Sequence, residues 1–222
     1  IVAAQAKAPM RVLHVDLDNV YDPDPAQQAR NLDQLVQRVV DMGAGTVFLQ
    51  AFADPKGDGL VHELYFPNRH LPVRADLFNR VSWQLHTRAH AAVYAWMPVL
   101  SFALDPKLPR VTRWDPETGK TGLDPDQYKR LSPFDPQVRK IIGEIYEDLA
   151  RNNAIDGVLY HDDAVFNDFE DASPGALKAY AANGLPNSIE ALRADPAVMQ
   201  RWTRFKSRYL IDFTNELTAK VR

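Results

Sequence analysis

Two kinds of apolar pattern alternate along the chain. "RVLHVDLD" (11–18), "GTVFLQAF" (45–52), "AAVYAWMPVL" (91–100) and "DGVLYHDD" (156–163) are short β-branched or aromatic runs that predict strands. Between them, hydrophobic residues recur at spacings of three and four and predict helices. Leu32, Leu35, Val36 and Val39 follow an Asp24-Pro25 start, and Val138, Ile141, Ile142, Ile145 and Leu149 follow Asp135-Pro136. In both, the aspartate suits the N-cap and the proline the first helical turn. Leu77, Val81 and Leu85 mark another helix, and Ser173-Pro174 and Asp195-Pro196 open two more. The last carries Trp202, Phe205, Tyr209, Phe213 and Leu217 on one side. Residues 53–73 and 101–134 read as long loops.

Four strands separated by helices predict a parallel sheet with crossover connections. The strand runs are apolar almost throughout, as expected when both faces of a sheet are covered. Polar residues gather where strands end: Asp16 and Asp18, Gln50, then His161, Asp162 and Asp163, with Trp96 at the corresponding place in the third run. Parallel α/β folds bind their ligands at the carboxyl ends of the strands, so these positions are expected to meet on one rim. Asp16 and Asp18, two apart, should share a face of their strand. Of the adjacent Asp162 and Asp163, only one should point into the cleft.

Composition narrows the classes. A net charge of −3 without any Lys/Arg run gives no electrostatic footprint for a nucleic-acid partner. No stretch reaches the roughly 18 apolar residues of a membrane span. The absence of cysteine excludes disulfides and thiolate zinc sites. The opening "IVAAQAKAPM" (1–10) reads as a linker remnant.

The chemistry concentrates in "LYHDDAVFNDFED" (159–171), with five carboxylates inside ten positions. Like charges so close raise one another's pKa, which points to a metal site, an acid/base site or a cleft for a cation; a solvated acidic loop is the plain alternative. "VDLDNV" resembles the strand-end Asp-x-Asp motif of haloacid-dehalogenase-type phosphatases, which are Mg²⁺-dependent. That family also needs a strand-end Ser or Thr and a Lys, whereas Ser132 lies in a proline-rich loop and Lys140 on a helix. A glycoside hydrolase needs carboxylates on either side of a sugar and aromatic faces to stack it. Phe52, Tyr65, Phe66, Trp96 and Trp114 supply the second requirement.

Longer runs are more specific. "HVDLDNVYD", "TVFLQAFADPKGDGLVHELYFPNRHLP", "YAWMPVLSF", "RLSPFDP", "DGVLYHDDAVFNDFEDAS" and "RFKSRYLIDFTNEL" together resemble the C-terminal domain of PgaB-type proteins. These are periplasmic poly-β-1,6-N-acetylglucosamine deacetylases of Gram-negative biofilm systems. The resemblance implies an α/β fold, a (β/α)8 TIM-type barrel, of which residues 11–222 supply about the first four βα units and an extra helix, the C-terminal part being absent. It implies a monomeric, cofactor-free glycoside hydrolase that binds and cleaves partially deacetylated poly-β-1,6-N-acetylglucosamine endolytically. A non-catalytic glycan-binding module aiding polymer export is the alternative. The family further implies an N-terminal deacetylase domain in the full-length protein, whose activity is not assigned here, and an outer-membrane export porin as partner.

By the same resemblance the aspartates of "HDDAVFND" carry catalysis. Asp168 is expected as general acid or base, with Asp162 or Asp163 stabilising positive charge on the sugar and His161 orienting a carboxylate rather than ligating a metal. Substrate contacts are expected from Asp16, Asp18, Gln50, Phe52, Tyr65, Phe66, Asn68, Arg69, Trp96 and His161. A partly deacetylated polymer carries protonated amines, which an acidic cleft attracts.

Overall fold

A computed structural model describes residues 10–222, so the expected linker remnant lies, apart from Met10, outside the described residues. Strand β1 (Val12–Val15) passes through a single 3-10 turn (Leu17–Asn19) into α1 (Pro25–Met42). Next come β2 (Thr46–Gln50), a hairpin of β3 (Phe52–Ala53) and β4 (Glu63–Leu64), and α2 (Phe78–Ala89). β5 (Ala92–Met97) follows, then a second hairpin of β6 (Arg113–Trp114) and β7 (Thr121–Gly122), and α3 (Pro136–Asn152). The chain continues through β8 (Gly157–Tyr160), α4 (Pro174–Ala182), the short α5 (Ile189–Ala194) and α6 (Pro196–Val221).

β1, β2, β5 and β8 form one parallel sheet in that order, pairing in register at His14, Phe48, Tyr94 and Gly157. The expected βα alternation is therefore present, as an open arc of four strands. The helix starts also fall where the sequence places them. Asp24 accepts from the Ala26 amide, Asp135 from Gln137 and Val138, Ser173 from Ala176, and Asp195 from Ala197 and Val198. Each satisfies amides that a helix cannot bond internally. Two features were not expected: both long loops fold into small hairpins, and α5 precedes α6.

The two faces of the sheet differ. Val47, Leu49, Val93, Ala95 and Met97 are fully buried on the helix side, where α1 packs against α2 and α3 against α6. The alternate residues Phe48, Tyr94 and Trp96 are only half-buried and His14 is exposed. They form an edge-on ladder, with His14–Phe48 at 6.2 Å and Phe48–Tyr94 at 5.9 Å. Gly157 continues the ladder because a Cβ there would come within 2.6 Å of the Tyr94 ring. The expectation that both faces are covered thus holds for one face.

Strand ends are shorter than predicted, with consequences for the acids. β1 stops at Val15, so Asp16 and Asp18 do not share a strand face; Asp16 caps the 3-10 turn that carries Asp18. β8 stops at Tyr160, so His161, Asp162 and Asp163 lie in the turn beyond it. A second small core, built from Phe134, Tyr180, Trp202, Phe205 and Tyr209, supports the loop that follows.

Candidate active site

The ends of β1, β2, β5 and β8 bring a set of aromatic and acidic groups together. The Trp96 indole lies stacked with the His161 ring at 5.1 Å and 22°. His14 meets Trp96 edge-on at 4.2 Å, and Phe52 meets it at 5.2 Å. Tyr128, from the loop before α3, closes on His161 at 5.3 Å. Its position depends on Gly59, whose backbone has φ +66° and where a Cβ would stand 2.5 Å from the Tyr128 ring. Two half-buried aromatic planes with polar edges make a surface on which a sugar ring can stack.

Carboxylates surround this surface. Asp16 accepts from the Asp18 amide at 2.8 Å. Burial lifts the Asp16 carboxyl above its ordinary range, and the nearby charges of Asp18 and Asp54 lift it further. Asp18 receives the Tyr65 hydroxyl on one oxygen and the Asp54 amide, at 2.9 Å, on the other. Asp162 is 80% exposed, with its Oδ1 2.9 Å from Nδ1 of His161. The Tyr128 hydroxyl is pushed up chiefly by burial and then by the charge of Asp162. Burial pushes the His14 imidazole down, against the attraction of Asp16. Beside Asp54 opens a cavity of about 460 Å³, lined by groups of both charges, among them Lys56, Asp58, His62 and Glu63. Among the described residues no group of three or more His, Asp or Glu side chains is arranged to hold a metal ion.

The acidic run itself divides. Asp163 is 0% exposed, and its two oxygens take the backbone amides of Val99, Leu100 and Ser101 at 2.7–3.2 Å. Oδ2 takes all three amides and Oδ1 only that of Val99, so the carboxylate expected to be catalytic also fixes the chain after β5. Glu170 pairs with Arg130 at 2.7 Å, both groups 1% exposed. Asp171 accepts from the Thr112 and Ser173 amides and from the Ser132 and Ser173 hydroxyls. Burial raises its pKa, and those hydrogen bonds oppose the rise. Only Asp162 and Asp168 leave their carboxylates toward solvent. The turn that brings Asp162 out and Asp163 in replaces the strand alternation expected for them.

Asp168 stands apart from the aromatic surface. It lies against α6, bordering a small cavity of about 50 Å³ with Phe166, Thr203 and Lys206. Its backbone carbonyl accepts from Arg193 at 2.7 Å.

Several residues expected to contact substrate serve as internal braces in this structure. Gln50 is buried and donates to the Phe52 carbonyl at 2.8 Å. Phe52, Tyr65 and Phe66 are buried; Phe52 backs Trp96, and Tyr65 holds Asp18. Asn68 closes its own turn by accepting from the His70 and Leu71 amides. Arg69 points to α3, bonding Asp148 at 2.9 Å and Glu147 at 3.1 Å. Asp18 is at the rim with both oxygens engaged. Asp16, Trp96 and His161 remain available. Asp54 and Tyr128 were missed by sequence reasoning; they sit in aperiodic Asp-Pro loops, where only the density of polar and aromatic residues offered a signal.

Residues 14–222 match a family model described as hypothetical glycosyl hydrolase family 13. The chain is 54% identical over 222 residues to the poly-beta-1,6-N-acetyl-D-glucosamine N-deacetylase of Escherichia coli K12. The match takes in the whole chain and 33% of that protein, so the chain spans about a third of the length of the curated relatives it matches. Among solved structures, the PgaB (BpsB) glycoside hydrolase domain from Bordetella bronchiseptica superimposes with a TM-score of 0.87 at 55% identity. That alignment covers 96% of this chain and 61% of the other. Alpha-L-fucosidase isoenzyme 2 from Paenibacillus thiaminolyticus shares the fold, with a TM-score of 0.62 at 17% identity over 96% of this chain and 31% of its own. The barrel class and the PgaB resemblance are thereby borne out, and the phosphatase reading is set aside. By its sequence from His14 to Arg222 and by its fold, this chain belongs to hypothetical glycosyl hydrolase family 13.

Proposed function

We propose that the protein binds partially deacetylated poly-β-1,6-N-acetylglucosamine and cleaves its β-1,6 linkages endolytically. The observation that carries this reading is the stacked Trp96–His161 surface ringed by Asp16 and Asp162 at the carboxyl ends of parallel strands, on a glycosyl hydrolase-family fold. Glycosidic cleavage needs one carboxyl to protonate the leaving oxygen and another to act as base, nucleophile or charge stabiliser. Asp168 is assigned the acid/base role and Asp162 the charge-stabilising one, because these two members of the acidic run are free of structural duty. Trp96 and His161 stack the sugar, and Asp16 faces it from the turn after β1. The protonated amines of the polymer supply a counter-charge for these acids, so affinity falls as salt screens them.

Residues 11–222 are read as about half of a (β/α)8 barrel, closed by further βα units beside β1 and β8. The open sheet edges and the half-buried inner ladder support this, since both are surfaces a barrel covers. A periplasmic location, a deacetylase domain and an outer-membrane porin as partners go with the same reading; the name of the E. coli relative supports the deacetylase.

The test is mass spectrometry of partially deacetylated polymer incubated with the protein in EDTA, alongside Asp168→Asn. Metal-independent release of short oligosaccharides, abolished in the variant, is the expected result. Release that survives in the variant sinks the assignment of Asp168. Binding without release from a folded, complete barrel leaves a glycan-binding module for export.

A further inference from the structure

The turn that carries Asp168 is held more tightly than an exposed carboxylate requires. Within it the Glu170 amide donates to the Asn167 carbonyl, the Phe169 amide to the Asn167 side chain, and the Asn167 amide to Glu170 Oε2. From outside, Arg193 donates to the Asp168 carbonyl and stacks on Phe169 with its guanidinium 3.9 Å from the ring centre. Beneath lies Lys206 of α6, 3% exposed, whose Nζ donates to the carbonyls of Asn167 at 2.6 Å and Glu170 at 2.7 Å. The same Nζ rests 3.6 Å from the Trp202 ring centre. Lysine is rarely this buried without a carboxylate partner, because removing an ammonium from water is costly. Here both direct acceptors are neutral carbonyls, and they bracket Asp168 on either side. Among the described residues the Asp168 carboxylate makes no hydrogen bond or ion pair, although it borders the same small cavity as Lys206.

We infer that Lys206 is a positioning residue for Asp168: it fixes the 167–170 turn from below so that the Asp168 carboxylate is held in one place, unpaired and open to solvent. This rests on the reading of the protein as a glycan hydrolase with Asp168 as acid/base. A purely structural lysine would affect folding and leave turnover of the folded protein alone. A positioning lysine affects turnover after the polymer has bound. Burial holds the Lys206 ammonium down to about 8, against the attraction of Asp168, Glu170 and Asp171, so it remains charged at neutral pH.

The experiment uses the absence of cysteine from the chain. Lys206→Met and Lys206→Cys are compared with Lys206→Cys aminoethylated in denaturant and refolded, which restores a lysine-length ammonium. In Lys206→Met, kcat on partially deacetylated polymer is expected to fall about 100-fold with KM little changed, the size of loss that a misplacement of about 1 Å produces. Aminoethylation of the cysteine variant should return most of it. Independently of turnover, hydrogen exchange of the Phe169 and Glu170 amides should speed up about 30-fold in Lys206→Met and slow again in the aminoethylated protein. If Lys206→Met does not fold, the pair Lys206→Gln and wild type carries the same two readouts. Unchanged kcat and unchanged exchange in a folded variant overturn the inference. A wild-type protein with its barrel complete that releases no oligosaccharide overturns the hydrolase reading instead, and exchange then decides whether Lys206 fixes the turn.

Discussion

Two acidic regions stand at the same end of the sheet and handle their charge differently. At the end of β1, Asp16 and Asp18 stay near the surface and are hydrogen-bonded by amides and a tyrosine hydroxyl. After β8, three carboxylates are taken inside and each is given a different partner: amides for Asp163, a guanidinium for Glu170, hydroxyls and amides for Asp171. The first arrangement leaves a carboxyl with a raised pKa beside an aromatic surface. The second uses negative charge as internal mortar and leaves Asp162 and Asp168 projecting from it. Density of acids is therefore a poor count of free acids; what distinguishes them is whether their oxygens are already occupied.

That distinction can be broken most severely at Asp163. Asp163→Ala leaves three buried amides without an acceptor and should cost about 4 kcal/mol, read as a shift of the urea midpoint. A cost below about 1 kcal/mol would show that the loop after β5 does not depend on it.

The next largest effect concerns Lys206 and pH. The unfolded chain titrates this group near 10.5, the folded protein near 8. Below pH 8 both states are protonated and the cost of the buried charge is fully present. Between 8 and 10.5 the unfolded chain binds more protons, so this group's contribution to unfolding free energy rises with pH, by at most about 3 kcal/mol. The difference in stability between wild type and Lys206→Met, followed by urea melts across that window, should show the rise. A flat difference would place the ammonium in water.

The smallest effect sharpens the contrast. Asp162→Asn and Asp168→Asn should each change stability by less than about 0.5 kcal/mol, since neither carboxylate is buried or bonded to backbone. Calorimetry that found either as costly as Asp163→Ala would erase the line between mortar and projecting acids.

The scaffold was legible because its signals are local. Asp24, Asp135, Ser173 and Asp195 cap helices within three residues of themselves, and the apolar spacing of α1 and α3 is complete within each segment. The strand-end placement of Asp16, Trp96 and His161 followed from the parallel order of the sheet. Individual roles were less legible because the deciding partner is remote in sequence. Asp163 is committed by amides more than 60 residues away, Glu170 by Arg130 40 residues away, and Asp18 by Tyr65 47 residues away. Phe66 and Arg69 belong to a run rich in site-like residues, yet one faces the core and the other α3. Nothing in the spacing of "FPNRHLP" distinguishes a loop that grips sugar from a loop that grips a helix.

The Asp163 contact has a further chemical meaning. Three successive amides, at Val99, Leu100 and Ser101, turned toward one carboxylate form an anion receptor of the kind that elsewhere cradles phosphate or sulfate. In this protein the guest is tethered to the host, so the receptor is filled whenever the chain after β8 is in place. Occupancy of the receptor and placement of the acidic loop are then one event.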